Sequence, residues 1–293
     1  MVTRLSALIL LTSSSAMAAN PPAPVELEPV TVWDMHYADD SCKLRRDFGP
    51  PEMRLGIEFA QFAPGDQFQL LLIGKPLNKI NDSRQYTIQF GDLPEHKIDA
   101  AWNAESDSGL PVTLVALPGL RPVDPALIKK GFEHNEPVPA LQSPADAASA
   151  NVIRISSKHQ QLLLHTGPLS APMSAMRKCM DEVVRSWGVD PSKVKTPARP
   201  IGNPGTWLTS NDYPSQALVE YKDGLVNFRL TVNETGKVSQ CHILRAVNES
   251  LFAKTTCLLL TKRARFKPAR DTAGNAIAGY FVSWVRFGLP PQY

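Results

Sequence analysis

Four cysteines, six histidines, an acidic cluster near residue 36 and a basic run near residue 265 are the side chains with chemistry to offer. The cysteines stand at 42, 179, 241 and 257. No Cys-x2-Cys spacing marks a zinc site, and an even number favours disulfides over ligation or nucleophilic work. Three pairings are possible on paper. Proximity in the chain favours Cys241–Cys257 and Cys42–Cys179, the shorter loop contributing about 3 kcal/mol and the longer one somewhat more. The histidines at 36, 96, 134, 159, 165 and 242 are scattered. Asp34-x-His36 with Asp39-Asp40 could line a metal, but no His-x3-His or similar cluster supports it. No serine sits in a Gly-x-Ser-x-Gly context, and paired cysteines leave no thiol nucleophile. The expectation is therefore no catalytic residue, no metal, no cofactor and no enzyme. The bases Lys262, Arg263, Arg265, Lys267 and Arg270 can meet peptidoglycan, lipid head groups or acidic protein loops. They equally suit the C-terminal end of a helix, whose carbonyls favour cations.

The elements that must position these groups begin with a segment that reads as an export signal. Arg4 precedes the apolar Leu5–Leu11, and Ala16-Met17-Ala18 fits a small-x-small cleavage pattern. That apolar run is well short of the roughly 20 residues needed to span a bilayer. Cleavage after Ala18 predicts a periplasmic product with no transmembrane anchor, and an exported protein makes nucleic acid a poor partner. With 43% hydrophobic and 20% charged residues, the rest is a folded chain long enough for two cores. Its charge is uneven: from residue 196 onward twelve Lys/Arg face six Asp/Glu, so the excess positive charge lies in the C-terminal third.

Residues 19–29 are a Pro-rich lead-in, read as a stiff extended spacer. Residues 30–190 read as a mostly β domain, sandwich or barrel, closed by a helix. Period-two alternation or short apolar runs predict strands at 53–59, 67–73, 86–90, 97–102, 112–117, 152–156 and 161–165. A short helix fits 125–132, and 137–150 reads as a loop. Met173, Met176, Met180, Val183, Val184 and Trp187 recur at helical spacing as a core-facing stripe that ends at Gly188. Residues 191–205, rich in Pro and Gly, read as a linker. The second domain, 206–293, reads as α+β: a short helix from Pro214, a hairpin of 225–233 and 238–245, a helix over 249–263 and a final strand over 276–287. Leu251, Phe252, Leu258 and Leu259 are the positions expected to cover its sheet.

Asp212-Tyr213-Pro214, the Gly224–Val232 strand, the Thr235-Gly236-Lys237 turn, Val238–Ile243 and Arg263-Ala264-Arg265-Phe266-Lys267-Pro268-Ala269 occur in that order. Over residues 205–290 this resembles the C-terminal domain of the TonB family, the periplasmic energy transducers that reach outer-membrane receptors. The resemblance implies a three-stranded antiparallel sheet with two helices. It further implies a protein or peptide partner, such as an outer-membrane receptor segment, added as an extra strand to an exposed sheet edge. The residues it points to are Tyr213 and the final strand, with Gly279, Tyr280, Phe281, Val282 and Ser283 as candidate contacts. Where such transducers often carry Gln-Pro-Gln before the Tyr-Pro, this chain has Ser210-Asn211-Asp212. The expected function is a Gram-negative envelope adaptor in protein binding and transport, docking extended peptides without energy transduction of its own. The alternative is a structural envelope or cell-wall protein that uses the same fold for self-association, for example as a homodimer.

Overall fold

The computed structural model describes residues 23–83, 85–99, 101–124, 126–127, 143–247 and 250–289. The expected export signal, the start of the lead-in and most of the helix weighed at 125–132 lie outside the described residues. The N-terminal region supplies the strands β1 (Val25–Leu27), β2 (Asp34–Ala38), β3 (Ser41–Phe48), β4 (Leu55–Gln61), β5 (Phe68–Ile73), β6 (Tyr86–Phe90), β7 (His96–Ile98), β8 (Trp102–Glu105), β9 (Pro111–Leu117), β10 (Val152–Ser156) and β11 (Gln161–His165). They form two sheets, ordered β2-β3-β4-β5-β9-β8 and β1-β11-β10-β6-β7. Phe59 and Phe68 from the first meet Phe90 from the second, with centroids 6.2 and 5.9 Å apart, so the sheets enclose one core. This is a sandwich.

Three details depart from the sequence expectations. The lead-in is no mere spacer: β1 pairs in parallel with β11, and Leu27 is buried in the core. The run at 97–102 is two strands, β7 in one sheet and β8 in the other, because alternation does not record which sheet a strand joins. The loop expected at 137–150 contains a helix, α2 (Pro144–Ser149), following the short α1 (Asn78–Asn81). Ser143 and Asp146 form a reciprocal capping box there, with Pro at the first helical position. Asp146 also receives a 2.6 Å bond from Arg121, and that bond above all draws its pKa down to about 2.

The helix α3 (Ser170–Ser186) lays Met173, Met176, Met180 and Val183 into the sandwich core. Gly188 closes it at φ 81°, a left-handed conformation that glycine adopts without steric cost. Cys179 of α3 is bonded to Cys42 of β3, with Cα atoms 6.1 Å apart, and tethers the helix to the six-stranded sheet.

The connector at 191–205 is woven into the C-terminal region. Its strand β12 (Val194–Thr196) pairs with β17 (Ala269–Asp271), and β13 (Arg199–Pro200) pairs with β16 (Phe266–Lys267). Pro and Gly exclude it from a sheet centre, and short edge pairing is what remains. Beyond it, β14 (Gly224–Val232) lies between β15 (Val238–Val247) and β19 (Gly279–Phe287) in an antiparallel sheet, with β18 (Ala276–Ile277) on β17. The helices are α4 (Ser215–Val219) and α5 (Ser250–Arg263).

Helix α5 presents Phe252, Thr256 and Leu260 to the sheet, all fully buried, while Leu258 is 53% exposed. The expectation for Leu258 thus fails: the buried stripe runs every fourth residue, and Thr256 joins it by bonding back to the Phe252 carbonyl. Cys257 on α5 is bonded to Cys241 on β15, with Cα atoms 5.5 Å apart. Both disulfides are the pairs that proximity favoured.

Candidate functional site

Alternation along β14 gives its sheet two different faces. Val226, Phe228, Leu230 and Val232 point into the cores beneath α5. Asn227 and Arg229 point the other way, together with Arg245 of β15, which lies opposite Asn227, and with Tyr280 and Arg286 of β19, which lie opposite Thr231 and Leu225 and so share the same parity. Simple period-two logic assigns such a polar face to water. Here it meets protein.

In the sandwich, every residue of β4 is buried, which requires cover on both faces. Leu55, Ile57 and Phe59 face the sandwich core, and Glu58 faces outward beside Gln69 of β5. Arg245 donates 2.7 Å to Glu58 and 3.2 Å to Gln69, and Gln69 donates 2.7 Å to Asn227. Arg45 holds the other Glu58 oxygen at 2.8 Å. Burial alone would raise the Glu58 pKa, but the bonds from Arg245 and Arg45 outweigh it and hold the carboxyl below its ordinary value. The two regions are therefore joined face to face through a charged network.

A second contact lies alongside. Arg229 stacks over Trp187 at 4.2 Å and donates 3.1 Å to Asp40, so the acid weighed as a metal ligand serves an ion pair instead. Arg286 likewise covers Trp102 at 4.4 Å. A desolvated cation over an indole is worth about 2 kcal/mol. Among the described residues, no group of three His, Cys, Asp or Glu side chains could hold a metal.

The strand β19 is the outer strand of its sheet, hydrogen-bonded along one side to β14. Its candidate contact residues divide by parity. Phe281 packs inward with Trp207 and Phe266, at 5.8 and 5.2 Å between centroids. Tyr280 faces the sandwich and meets the edge of Trp187 at 5.1 Å. Val282 and Ser283 are half-buried, and Trp284 is 46% exposed on the rim. Gly279 has no room for a side chain, because a Cβ there would lie 2.8 Å from that of Ala269.

Tyr213 belongs to an aromatic cluster with Phe252 and Phe287, at 5.7 and 5.9 Å, and its hydroxyl donates to the Lys222 carbonyl. It packs, partly buried, against the cluster of Ala217, Val226, Phe252 and Phe287. Within the basic run, Ala264, Phe266 and Ala269 are buried while Arg265, Lys267 and Arg270 are exposed, so alternation sets the cations outward. Arg263 is committed to a two-pronged pair with Asp212 at 2.6 and 2.9 Å, which pulls the Asp212 carboxyl far below its usual range. The run is not a single cluster: Lys267 lies opposite Arg199 and Arg270 opposite Thr196 in the connector pairings.

Sequence reasoning missed Glu58, Gln69, Asn227, Arg229 and Arg245. The available signal was a glutamate at the middle of an otherwise apolar strand, Leu55-Gly56-Ile57-Glu58-Phe59-Ala60.

Residues 209–289 match the family described as Gram-negative bacterial TonB protein C-terminal. The match begins at Thr209, whose side chain and amide bond Asp212, and ends just past β19. No curated protein matches the chain. The region from α4 to β19 is thus a TonB-type C-terminal domain, a protein-interaction fold, and the sandwich before it lies outside the match.

Proposed function

Taking the TonB-type domain at residues 209–289 as the premise, we propose that this protein is a periplasmic binding adaptor that docks extended peptide segments, among them parts of outer-membrane receptors, on the edge of β19. The observation that carries this reading is the position of β19 as an outer strand with β14 on one side only. Main-chain donors and acceptors along such an edge attract another strand. Two disulfides support an oxidising compartment. None of the helices among the described residues is long and apolar enough to cross a membrane. The sandwich lies against the sheet face that carries Asn227, Arg229 and Arg245, so that face is occupied within the chain, which supports pairing at an edge over docking on that face.

The test places a photo-crosslinking amino acid at Trp284, on the rim of β19, with a control at the exposed Leu258 on α5. Cross-links from position 284 to an extended segment of an outer-membrane protein, absent from position 258, support docking. Equal yields from both positions, or none from 284, sink it. Cross-links from 284 only to a second copy of this chain would favour self-association instead.

A further inference from the structure

A space of about 230 Å³ opens where the sandwich, the connector and the start of β19 converge. Pro64, Val184 and Val189 wall it from the sandwich side, Pro191 and Pro197 from the connector, and Gly279 and Tyr280 from β19. Neither region forms it alone. Gly279 and Tyr280 are consecutive and project to opposite faces of the sheet, so a cleft that both line sits beside the strand and not on one face. Its volume is below the roughly 300–1,000 Å³ of small-molecule sites and suits a single bulky side chain.

The walls are almost wholly Val, Pro and Ala, with two polar groups: Tyr280 and the exposed Asp181 of α3. Asp181 makes no ion pair among the described residues, although Arg177 and Arg185 lie one turn away on either side of it. Its negative charge reaches Tyr280, where burial first and Asp181 second raise the hydroxyl pKa. An apolar recess with an unpaired carboxylate at its mouth is complementary to an apolar side chain accompanied by a cation.

We infer that this cleft is the specificity pocket for the segment that pairs with β19, an inference that rests on the edge-docking reading above. It admits one apolar side chain between Val184, Val189 and Pro197. Asp181 receives a Lys or Arg two residues along, because positions i and i+2 of an extended segment share a face. The sandwich thereby acquires a role: it supplies the charge and half the wall that choose the ligand, while β19 supplies the backbone pairing.

Random nonapeptides displayed on phage, panned against the mature chain and against Asp181→Lys, test this directly. The expected result is enrichment of an apolar residue spaced by one from Lys or Arg, with the basic preference replaced by Asp or Glu on the Asp181→Lys protein. A synthetic peptide of the enriched sequence should bind Asp181→Lys at least about fivefold more weakly. It should also lose binding to Val189→Trp, which fills the recess at a half-buried position just before the connector, with thermal melting showing that both variants fold. Enriched peptides that lack this pattern, or that ignore Asp181→Lys, overturn the pocket. Edge docking would still stand in that case if N-methylation of alternate peptide amides abolishes binding. Failure to enrich any extended peptide overturns the pocket and the docking reading together.

Discussion

Replacing Arg245 with Met should loosen the join between the two regions by about 3 kcal/mol. The side chain donates 2.7 Å to Glu58 and 3.2 Å to Gln69, and 17% of it is exposed against 9% for Glu58. A charge-assisted bond is worth roughly 1.5–3 kcal/mol, and the bond to Gln69 adds about 1. Removing one partner of a fully buried pair costs about 3–5 kcal/mol because the other charge is stranded. Glu58 keeps Arg45 on its second oxygen, which places Arg245→Met at the lower end of that range. Met retains much of the alkyl packing, so the loss reports the charge. Arg45→Met should cost under about 1 kcal/mol, since Arg45 is 46% exposed and already well hydrated.

Urea melts followed by tryptophan fluorescence suit the measurement, because Trp187 and Trp102 both sit at the join. A double-mutant cycle of Arg245→Met with Glu58→Gln should give a coupling of about 1.5–3 kcal/mol at pH 7. The sign with pH follows from the depressed carboxyl of Glu58. Its contribution is complete above the ordinary value of 4.5 and is lost as pH falls through the lower folded value. The coupling should therefore shrink well below pH 4.5 and stay flat from pH 6 to 8. A coupling under about 0.5 kcal/mol at pH 7 would refute the reasoning and leave apolar contact as the only cement.

Cys257→Ser should lower stability by about 3 kcal/mol through the loop to Cys241, read as a drop in melting temperature that a reductant reproduces in the native chain. Leu260→Ala should cost about 2–5 kcal/mol, whereas Leu258→Ala should stay within about 0.5, and equal losses in denaturant melts would contradict the helix phase assigned to α5. Gly236→Ala should cost about 2–3 kcal/mol, since the turn holds φ at 78° and a Cβ would lie 2.0 Å from the Phe266 carbonyl oxygen. Tyr221→Gly should gain about 0.5 kcal/mol: Tyr221 sits at φ 52°, and relief of 1–2 kcal/mol of left-handed strain exceeds the roughly 0.5–1 of extra chain entropy that glycine brings. Melting temperature decides its sign.

Most elements were legible because local rules agree with their surroundings. The strand at 86–90 carries a plain period of two and 161–165 is a short apolar run, and each of the strands at 86–90, 152–156 and 161–165 lies where it was read. The Met stripe of α3 lies inside because its spacing and its Cys179 both point to one face. The miss at α5 has a physical cause: counting Leu258 weighted hydrophobicity over phase. The stripe set by Phe252 and Leu260 passes through Thr256, whose hydroxyl is satisfied by its own helix. The helix α2 was written in Ser143-Pro144-x-Asp146, a start signal obscured by the Pro, Ala and Ser around it.

The join between the regions was illegible for a different reason. Alternation tells which side chains share a face, but it cannot tell whether water or another polar surface covers that face. Asn227 and Arg229 on β14 look solvated when read alone, and so do Glu58 and Gln69 on β4 and β5. Each set becomes informative only beside the other: Glu58 and Gln69 of the sandwich accept from Arg245 of the TonB-type sheet, and Gln69 donates to Asn227, at 2.7 to 3.2 Å. Two polar faces that pair with each other bury less apolar surface than a core does, and here Asn227 Nδ2 and Arg229 Nε stay buried without a partner, so their union leans on pairing geometry and charge. That dependence makes the join sensitive to the single atoms of Arg245 and Glu58. It also fixes the sandwich beside β19, because Trp187 lies under Arg229 and meets Tyr280 edge-on. Any segment added to β19 at Tyr280 must then pass the sandwich, and a variant that loosens the join should alter what β19 accepts before it alters the fold of either region.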